Sequence, residues 1–273
     1  MKNKFILMHN GNIKLGAGLL TGFLTLSLFS ACEKVIDLKL DNVTPVIVID
    51  GGINDLNENQ LVRISKTYSF TDANKFNGIS GAKVVLTASN GTIVNYTAVS
   101  PGVYSSPKFK GIPGTTYKLT VDIEGKTYTA SSTMPKKVIL NLLTFKDITI
   151  AGKKREYVAV IYDDPPGVPN FYHSIIRFKG KVKFDVATDD RFNDGNKVND
   201  VLFYDLKDMV PGDTIAVEFQ CVDEAVHRYF FSFGQNLGES QPVSPENPPS
   251  NFDNNALGVF SAYTSSSRKA LVK

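Results

Sequence analysis

The sequence is poor in cysteine and histidine, the side chains that most often build metal and redox sites. It contains two cysteines and three histidines in 273 residues. With so few cysteines the fold must rest on a hydrophobic core and not on a disulfide framework. Only His173 and His227 lie beyond the N-terminal segment, and no His-Glu-x-x-His pattern occurs. A hydrolytic zinc centre is therefore not expected.

Other catalytic signatures are missing as well. No Gly-x-Ser-x-Gly pattern marks a nucleophile elbow, and the pair Gly51-Gly52 lacks the glycine spacing of a phosphate loop. A hydrolase would have to combine His173 with Asp163 or Asp164 and one of the serines. We keep this as a minor alternative; the sequence predicts a protein that is not an enzyme and needs no cofactor.

The N-terminus has the pattern of a lipoprotein signal peptide. An apolar run over 15–29 follows several lysines, and the small pair Ser30-Ala31 precedes Cys32. We therefore predict that 1–31 are removed and that Cys32 carries the lipid. Phe29 stands where such sites usually have an aliphatic residue, so a plain signal peptide cut near Ala31 or an uncleaved anchor helix are the alternatives.

Removal of the signal changes the charge of the protein. Three of its 30 basic residues precede Cys32, which leaves 27 basic against 27 acidic residues. A neutral chain gives no reason to expect a nucleic-acid partner. Lipidation of Cys32 would leave Cys221 alone, and its place after Ile215, Val217 and Phe219 at period two predicts a buried thiol.

The rest of the sequence predicts a mainly β protein. Short β-branched and aromatic runs alternate with turn signals such as Asn90-Gly91 and Gly125, which predict two hairpins. We expect two β-sandwich-like domains. Residues 32–135 would form an immunoglobulin-like or transthyretin-like sandwich, and 136–273 a second β-rich domain.

The second domain is predicted to contain four clear strands and one helix. The strands are 157–162, 172–178, 181–186 and 214–222. The helix spans about 223–237, with Asp223 as its cap and an aromatic stripe that favours core packing over a ligand platform. His227 falls off this stripe and is expected to be half-exposed. A last strand is expected near 257–262, and 265–269 are expected to form a short edge.

Two acidic loops are candidates for binding. The turn from Asp189 to Gly195 offers weak candidate calcium ligands, which are Asp189, Asp190 and Asp194. The calcium-loop register fails, so a solvated turn is favoured. The loop Asp163-Asp164-Pro165-Pro166-Gly167 is rigid, and its carboxylates are candidates for contact with a partner.

Several segments together resemble one family. They are Cys32-Glu33-Lys34-Val35-Ile36-Asp37, Gly81-Ala82-Lys83-Val84, Asp164-Pro165-Pro166-Gly167, Asp190-Arg191-Phe192-Asn193-Asp194-Gly195, Asn247-Pro248-Pro249-Ser250-Asn251 and Leu257-Gly258-Val259-Phe260-Ser261-Ala262. Their order and spacing are similar to those of the DUF4249 lipoproteins. The chain differs from the family habit at Asn254-Asn255, where glycines are expected, and at His227, where an aromatic residue is commoner.

The resemblance implies an outer-membrane lipoprotein of Bacteroidota. Such proteins are commonly encoded beside TonB-dependent receptors, so the implied role is an accessory of nutrient uptake, held at the membrane by its lipid. The cell surface and the periplasmic leaflet both stay open, and the resemblance leaves the ligand unknown, whether a small molecule, a peptide or a glycan. A structural or adhesive envelope lipoprotein is the alternative. The expected partner-binding residues are Asp163, Asp164, Pro165, Pro166, Asn247, Pro248, Pro249 and Asn251.

Overall fold

Strands dominate the computed structural model, which describes residues 44–68, 76–207, 209–236 and 247–272. The signal peptide and Cys32 lie outside the described residues. The strands are β1 (Ile47–Asn54), β2 (Glu58–Lys66), β3 (Lys83–Ala88), β4 (Ile93–Asn95), β5 (Thr97–Ser100), β6 (Val103–Phe109), β7 (Thr116–Ile123), β8 (Lys126–Thr133), β9 (Leu140–Ile150), β10 (Lys153–Asp163), β11 (Phe171–Phe178), β12 (Lys181–Asp189), β13 (Lys197–Asp205), β14 (Thr214–Val222) and β15 (Phe260–Leu271). One helix, α1 (Glu224–Asn236), occurs in the described chain. The predicted mainly β class with one helix is confirmed.

The strands form three sheets. The largest sheet is shared by two β-sandwiches, because each of its halves packs against one of the smaller sheets. Eight strands hydrogen-bond in the order β12-β11-β14-β15-β1-β2-β6-β5. One half of this sheet packs on the four-stranded sheet β4-β3-β7-β8 around a core that includes Ile49 and Leu119. The other half packs on the three-stranded sheet β13-β10-β9 around Tyr172 and Phe219. The opposite face of the eight-stranded sheet is not covered by either smaller sheet.

The two cores divide along the sequence near Met134 and Val138. Met134 is buried in the first core and Val138 in the second. Both cores nevertheless share one hydrogen-bonded sheet, because β15 pairs with β14 on one side and with β1 on the other. The predicted domain boundary at residue 135 stays a prediction.

Both predicted hairpins are confirmed. β3 and β4 flank the turn at Asn90-Gly91, where Gly91 has a φ of +87°. β7 and β8 are antiparallel, with Thr116 opposite Thr133 and Ile123 opposite Lys126, and the turn between them places Glu124 and Gly125 at positive φ. Glycine takes this backbone conformation at little steric cost. The alternation of buried and exposed side chains along β7 follows the period-two pattern of its sequence.

The C-terminal strand corrects the prediction. It runs from Phe260 to Leu271 and lies in the middle of the large sheet, so the expected short edge at 265–269 is wrong. Ser265 and Ser266 are buried there. Their polar atoms are paired: the Leu140 N–H donates to Ser266 Oγ over 3.1 Å, and the Ser265 N–H donates to Asp55 Oδ1 over 2.9 Å. A serine-rich run is stable in a central strand when its hydroxyls and amides find such partners.

Helix α1 lies on the uncovered face of the large sheet, against β11 and β12. Asp223 caps it as predicted, because Asp223 Oδ1 accepts the Val226 N–H over 2.9 Å. The other oxygen, Asp223 Oδ2, accepts hydrogen bonds from Ser132 and Thr133 and so ties the helix start to β8. Helix α1, the one helix among the described residues, is not long and apolar enough to cross a membrane.

Candidate functional site

The uncovered sheet face carries a groove of about 750 Å³. We call it the sheet groove and define it by six of its lining residues, which are Asp50, Gly52, His173, Asp185, Tyr229 and Ser261. Its volume is in the range of about 300–1,000 Å³ that is usual for small-molecule sites. The groove is therefore the best-formed candidate site in the part of the chain that the structure describes.

Strand alternation explains why these residues meet. In β1, Ile49 and Ile53 point into the first core, so Asp50 and Gly52 face the other way. In β15, Phe260 is completely buried in the same core, whereas the next residue, Ser261, lines the groove. Gly52 contributes no side chain, which deepens the groove at that point.

One wall of the groove is aromatic. Tyr229, Phe230 and Phe233 project from α1, and Tyr263 comes from β15. The rings of Tyr229 and Phe233 are nearly parallel, with an interplanar angle of 6° and centroids 6.3 Å apart. The predicted core role of this stripe is met by Val226, which is fully buried, and in part by Tyr229 and Phe230. Phe233 is 40% exposed, so the stripe is also a surface available to a ligand.

His173 lies beside this wall and is 2% exposed. Its ring stacks on Phe230 with centroids 3.9 Å apart and an interplanar angle of 15°. His173 Nδ1 is 3.3 Å from Gln220 Oε1, and Nε2 is 3.9 Å from Asp185 Oδ2. The imidazole is thus held by Phe230 and Gln220, and its second nitrogen faces Asp185 across a gap longer than a hydrogen bond.

Two buried polar atoms at the groove have no hydrogen-bond partner among the described residues. They are Ser261 Oγ and His173 Nε2. Ser261 is 6% exposed. An unpaired buried polar atom costs about 1–3 kcal/mol. A groove that retains two of them, one on β11 and one on β15, is better explained if a ligand or water completes their hydrogen bonds.

The charges of the groove are of both signs. Partial burial raises the pKa of Asp50, although the Val259 N–H and the charge of Arg63 oppose that shift. Burial also raises the pKa of Tyr229 to about 12, so its hydroxyl stays protonated at neutral pH. Arg177 donates to Glu218 over 3.3 Å and is therefore already paired.

The loops after β10 and β12 bring three carboxylates together. Asp164, Asp190 and Asp194 place ligand oxygens within 4.8 Å of one another. Two of these residues are among the predicted candidates, but Asp189 is not part of the cluster. It pairs with Arg191 at 2.9 Å; its burial alone would raise the pKa of Asp189, but the hydrogen bonds and charge of Arg191 lower it.

Each carboxylate in this cluster already accepts a hydrogen bond from the protein. Asp164 accepts one from the Tyr172 hydroxyl and another from the Gly195 N–H. Asp190 accepts the Asn170 N–H at 2.7 Å. Asp194 accepts the Gly167 N–H, also at 2.7 Å. The three side chains could offer oxygens to a hard cation, but their visible role is to hold the two loops against each other.

The two loops form one exposed tip. We call 163–170 and 189–196 the loop tip. At its surface Pro165 and Pro166 are exposed, Val168 is 60% exposed and Phe192 is 91% exposed. Asp164, in contrast, is 5% exposed. Within the predicted partner-binding loop, Asp163 and the two prolines are therefore accessible. Asp164 is buried beneath them and holds the loop through its hydrogen bonds to Tyr172 and Gly195.

The second predicted partner-binding segment lies at the other end of the chain. Asn247 and Pro249 are exposed, and Pro248 is half-buried. Asn251 is a brace for β15, since its side chain accepts the Phe260 N–H at 2.9 Å and donates to the Phe260 carbonyl at 2.7 Å. Partner binding by either segment stays a prediction.

The hydrolase hypothesis placed His173 near Asp163 or Asp164, and this placement is wrong. Asp164 binds the hydroxyl of Tyr172, which is buried in the second core. His173 follows Tyr172 in the same strand and so points to the opposite face of the sheet.

Two predictions about burial have different outcomes. The prediction for His227 is wrong, because this residue is 7% exposed instead of half-exposed. The buried thiol at Cys221 is confirmed at 3% exposure, and burial raises its pKa.

Fold and groove together define a mainly β protein of two sandwiches on a shared sheet, with one concave site on the open face of that sheet. The chain belongs to the DUF4249 family, a domain of unknown function, whose model matches residues 33–269. This confirms the family resemblance. No curated protein matches the chain.

One solved structure similar to this chain is that of a DUF4785 family protein from Legionella pneumophila. It is 10% identical and covers 64% of this chain, with a TM-score of 0.25. The match spans about half of that protein's length, 52%. At this TM-score the likeness supports no conclusion about fold or function.

Sequence reasoning missed the sheet groove. Its lining comes from strands and a helix that are up to about 200 residues apart, such as Asp50 and Ser261. A partial signal was present in Asp50, His173 and Ser261, polar residues that each follow a buried apolar residue in β1, β11 or β15. In an ordinary sandwich such positions face solvent, so the alternation alone does not reveal a shared concave face.

Proposed function

We propose that this protein is a non-enzymatic binding protein held at the bacterial outer membrane by a lipid on Cys32. In this proposal it assists a TonB-dependent receptor in nutrient uptake and holds the ligand in the sheet groove. The observation that carries the binding function is the groove itself, with the unpartnered Ser261 Oγ and His173 Nε2 beside an aromatic wall. Concave, largely apolar sites with a few oriented polar groups are the usual form of small-ligand sites.

The anchor and the receptor are supported by the sequence and the family resemblance. A diacylated or triacylated N-terminus gives stable membrane attachment, because each buried methylene contributes about 0.8 kcal/mol. The apolar run before Cys32 and the small pair Ser30-Ala31 support this part of the proposal. Intact-mass measurement of protein extracted from native membranes tests it, since an unmodified N-terminal sulfur would contradict lipidation.

The loop tip is the proposed contact surface for the receptor. Phe192 exposes 91% of its surface on a loop that Asp164, Asp190 and Asp194 hold in place. Exposed aromatic side chains on rigid supports are typical anchors of protein interfaces, because little conformational entropy is lost on binding.

Detergent extraction followed by co-purification tests the accessory role. The wild-type protein is expected to retain a TonB-dependent receptor in a stoichiometric complex, and Phe192→Ser is expected to weaken that complex at least tenfold. Phe203→Ser is the matched control, since Phe203 is also exposed, at 62%, but lies on β13 away from the tip. Absence of any receptor from the wild-type preparation would favour the structural or adhesive alternative.

A further inference from the structure

The sheet groove contains three carboxylates, which are acceptors of hydrogen bonds when they are ionised. Asp50 and Asp185 have no lysine or arginine nitrogen within 4.0 Å among the described residues. Asp50 accepts the Val259 N–H, and Asp185 Oδ2 lies 3.9 Å from His173 Nε2, so each carboxylate can still accept hydrogen bonds from a ligand. Glu58 adds a third carboxylate at the β2 end. Ionised carboxylates can only accept, and these therefore favour a ligand rich in hydrogen-bond donors.

The same groove also offers donors. Arg63 lines it, and Ser261 Oγ can donate or accept. The positive charges of Arg63 and Arg177 offset most of the negative charge of the three carboxylates, so the groove has no strong excess of one charge. An anionic ligand would meet three carboxylates, and a strongly cationic one would meet two guanidinium groups. A neutral ligand with both donors and acceptors fits this mixture best.

The backbone under the groove argues against an extended peptide. Its floor comes from β11, β14, β15 and β1, and each of these strands is paired on both sides within the large sheet. A peptide that adds to a sheet needs a free edge for its main-chain hydrogen bonds. The floor of the groove has none to offer, so a bound peptide would leave much of its own backbone unpaired.

The aromatic wall supplies the apolar contact surface that a ligand in this groove needs. The rings of Tyr229 and Phe233 are nearly parallel, and Tyr263 on β15 lines the same groove. Flat rings provide apolar contact area, and the tyrosine hydroxyls add polar ends. A sugar ring has the matching surface, with C–H groups on one face and hydroxyls around its edge that are each donor and acceptor.

We infer that the sheet groove binds a neutral saccharide of a few rings, which packs on Tyr229 and Phe233 and donates hydroxyl hydrogens to Asp50 and Asp185. The inference rests on the proposed binding function and adds the chemical class of the ligand. Ser261 Oγ and His173 Nε2 gain their missing hydrogen-bond partners from the same saccharide.

A glycan microarray probed with detergent-solubilised full-length protein tests the inference. The array carries neutral and acidic saccharides, and a peptide array is probed in parallel. We expect binding to neutral saccharides, and a loss of at least tenfold in affinity for Tyr229→Ala and for Asp50→Asn. Phe231→Ala is the matched control, because Phe231 lies on α1 but does not line the groove.

Each result of the arrays has a stated meaning. Neutral-saccharide binding that both groove variants weaken and the control retains supports the inference. Binding that the groove variants leave unchanged overturns the location. Binding to acidic saccharides or peptides alone overturns the ligand class while leaving the proposed binding function in place. No binding on either array overturns the inference, and receptor co-purification then decides separately whether the accessory role stands.

Discussion

Gly258 occupies a position where two constraints meet. It has a φ of +92°, and a Cβ atom added there would lie 2.2 Å from the carbonyl oxygen of Ile49. The chain passes this close because Val259 and its neighbours pair with β1 at the start of the parallel ladder to β15. Glycine is required both for the backbone conformation and for the close approach.

Gly258→Ala is therefore expected to destabilise the protein more than a glycine substitution at positive φ alone. Gly81 is the control, since it has a φ of +86° and an added Cβ would meet nothing within 4 Å. We expect Gly81→Ala to cost about 1–2 kcal/mol and Gly258→Ala to cost about 2 kcal/mol more through the clash with backbone. Urea unfolding of both variants measures the difference, and equal losses would contradict this account.

His227 gives a pH dependence with a defined sign. Burial lowers its pKa, with Asp189 and Glu224 opposing the shift and Arg191 and His173 adding to it. Between the ordinary histidine pKa of about 6.5 and the lower folded value, the unfolded chain binds a proton that the folded chain does not. The free energy of unfolding that the neutral His227 ring contributes is therefore fully present above the unfolded-state pKa of about 6.5, and it is lost as the pH falls below that value.

The expected result is a decline in the free energy of unfolding from pH 7.5 to 5.5 that is smaller in His227→Phe. Phenylalanine keeps an aromatic ring between Phe171 and Phe231, the two neighbours of the imidazole. Chemical denaturation across this pH range provides the measurement. An identical slope in the variant would show that other groups cause the decline.

Asn254 and Asn255 occupy a turn in which the family resemblance predicts glycines. The family resemblance predicts glycines at these positions, and the structure places both asparagines at positive φ, 53° and 59°. Asparagine tolerates this region better than most side chains. Asn254 also donates to the Thr127 carbonyl at 2.7 Å, so the substitution keeps the turn and adds a hydrogen bond.

Among the secondary-structure elements, β15 differs most from what its sequence predicts. The run Ser265-Ser266-Ser267 has neither the β-branched content nor the apolar alternation of a central strand, and it was expected to end the chain as an edge. Its place is fixed by partners distant in sequence, such as Leu140 and Asp55. Long-range hydrogen bonds of this kind leave no trace in local propensity.

Ser266→Ala tests whether these hydroxyls hold the strand. The substitution would leave the N–H of the fully buried Leu140 without its acceptor, at a cost of about 1–3 kcal/mol. Ser267→Ala is the matched control, because Ser267 is exposed in the same strand and its loss should change stability by less than about 0.5 kcal/mol. Thermal unfolding of the two variants would contradict the account if their midpoints moved equally.

Helix α1 and the strands of both hairpins were predictable because their signals are local. Asp223 precedes an apolar stripe at three- and four-residue steps, and Gly125 follows a clean alternation from Tyr117 to Ile123. The pairing of sheets was not predictable in the same way. Gly51 pairs with Phe260 in parallel, more than 200 residues away, and nothing in either segment specifies the other.

The shared sheet is what the sequence could not reveal about the molecule as a whole. Each half of the chain predicts a sandwich of its own, and both cores are present. Their joining through β15 creates a broad face that neither half would have alone, with α1 along one side of it. The candidate site is a consequence of this joining, since residues of β1, β11 and β15 line it together.

The central claim is that the protein binds its ligand in the sheet groove on this broad face. The substitution Gly52→Val tests this claim most directly. An added Cβ at Gly52 would lie 3.4 Å from the Tyr263 ring, so Gly52→Ala should change stability by less than about 1 kcal/mol. Urea unfolding of Gly52→Val establishes that the larger variant is folded before its binding is measured. The valine methyl groups would occupy the groove floor. Isothermal titration calorimetry with the array-identified ligand is predicted to show at least tenfold weaker binding than wild type, whereas an unchanged dissociation constant in the folded variant would contradict the claim.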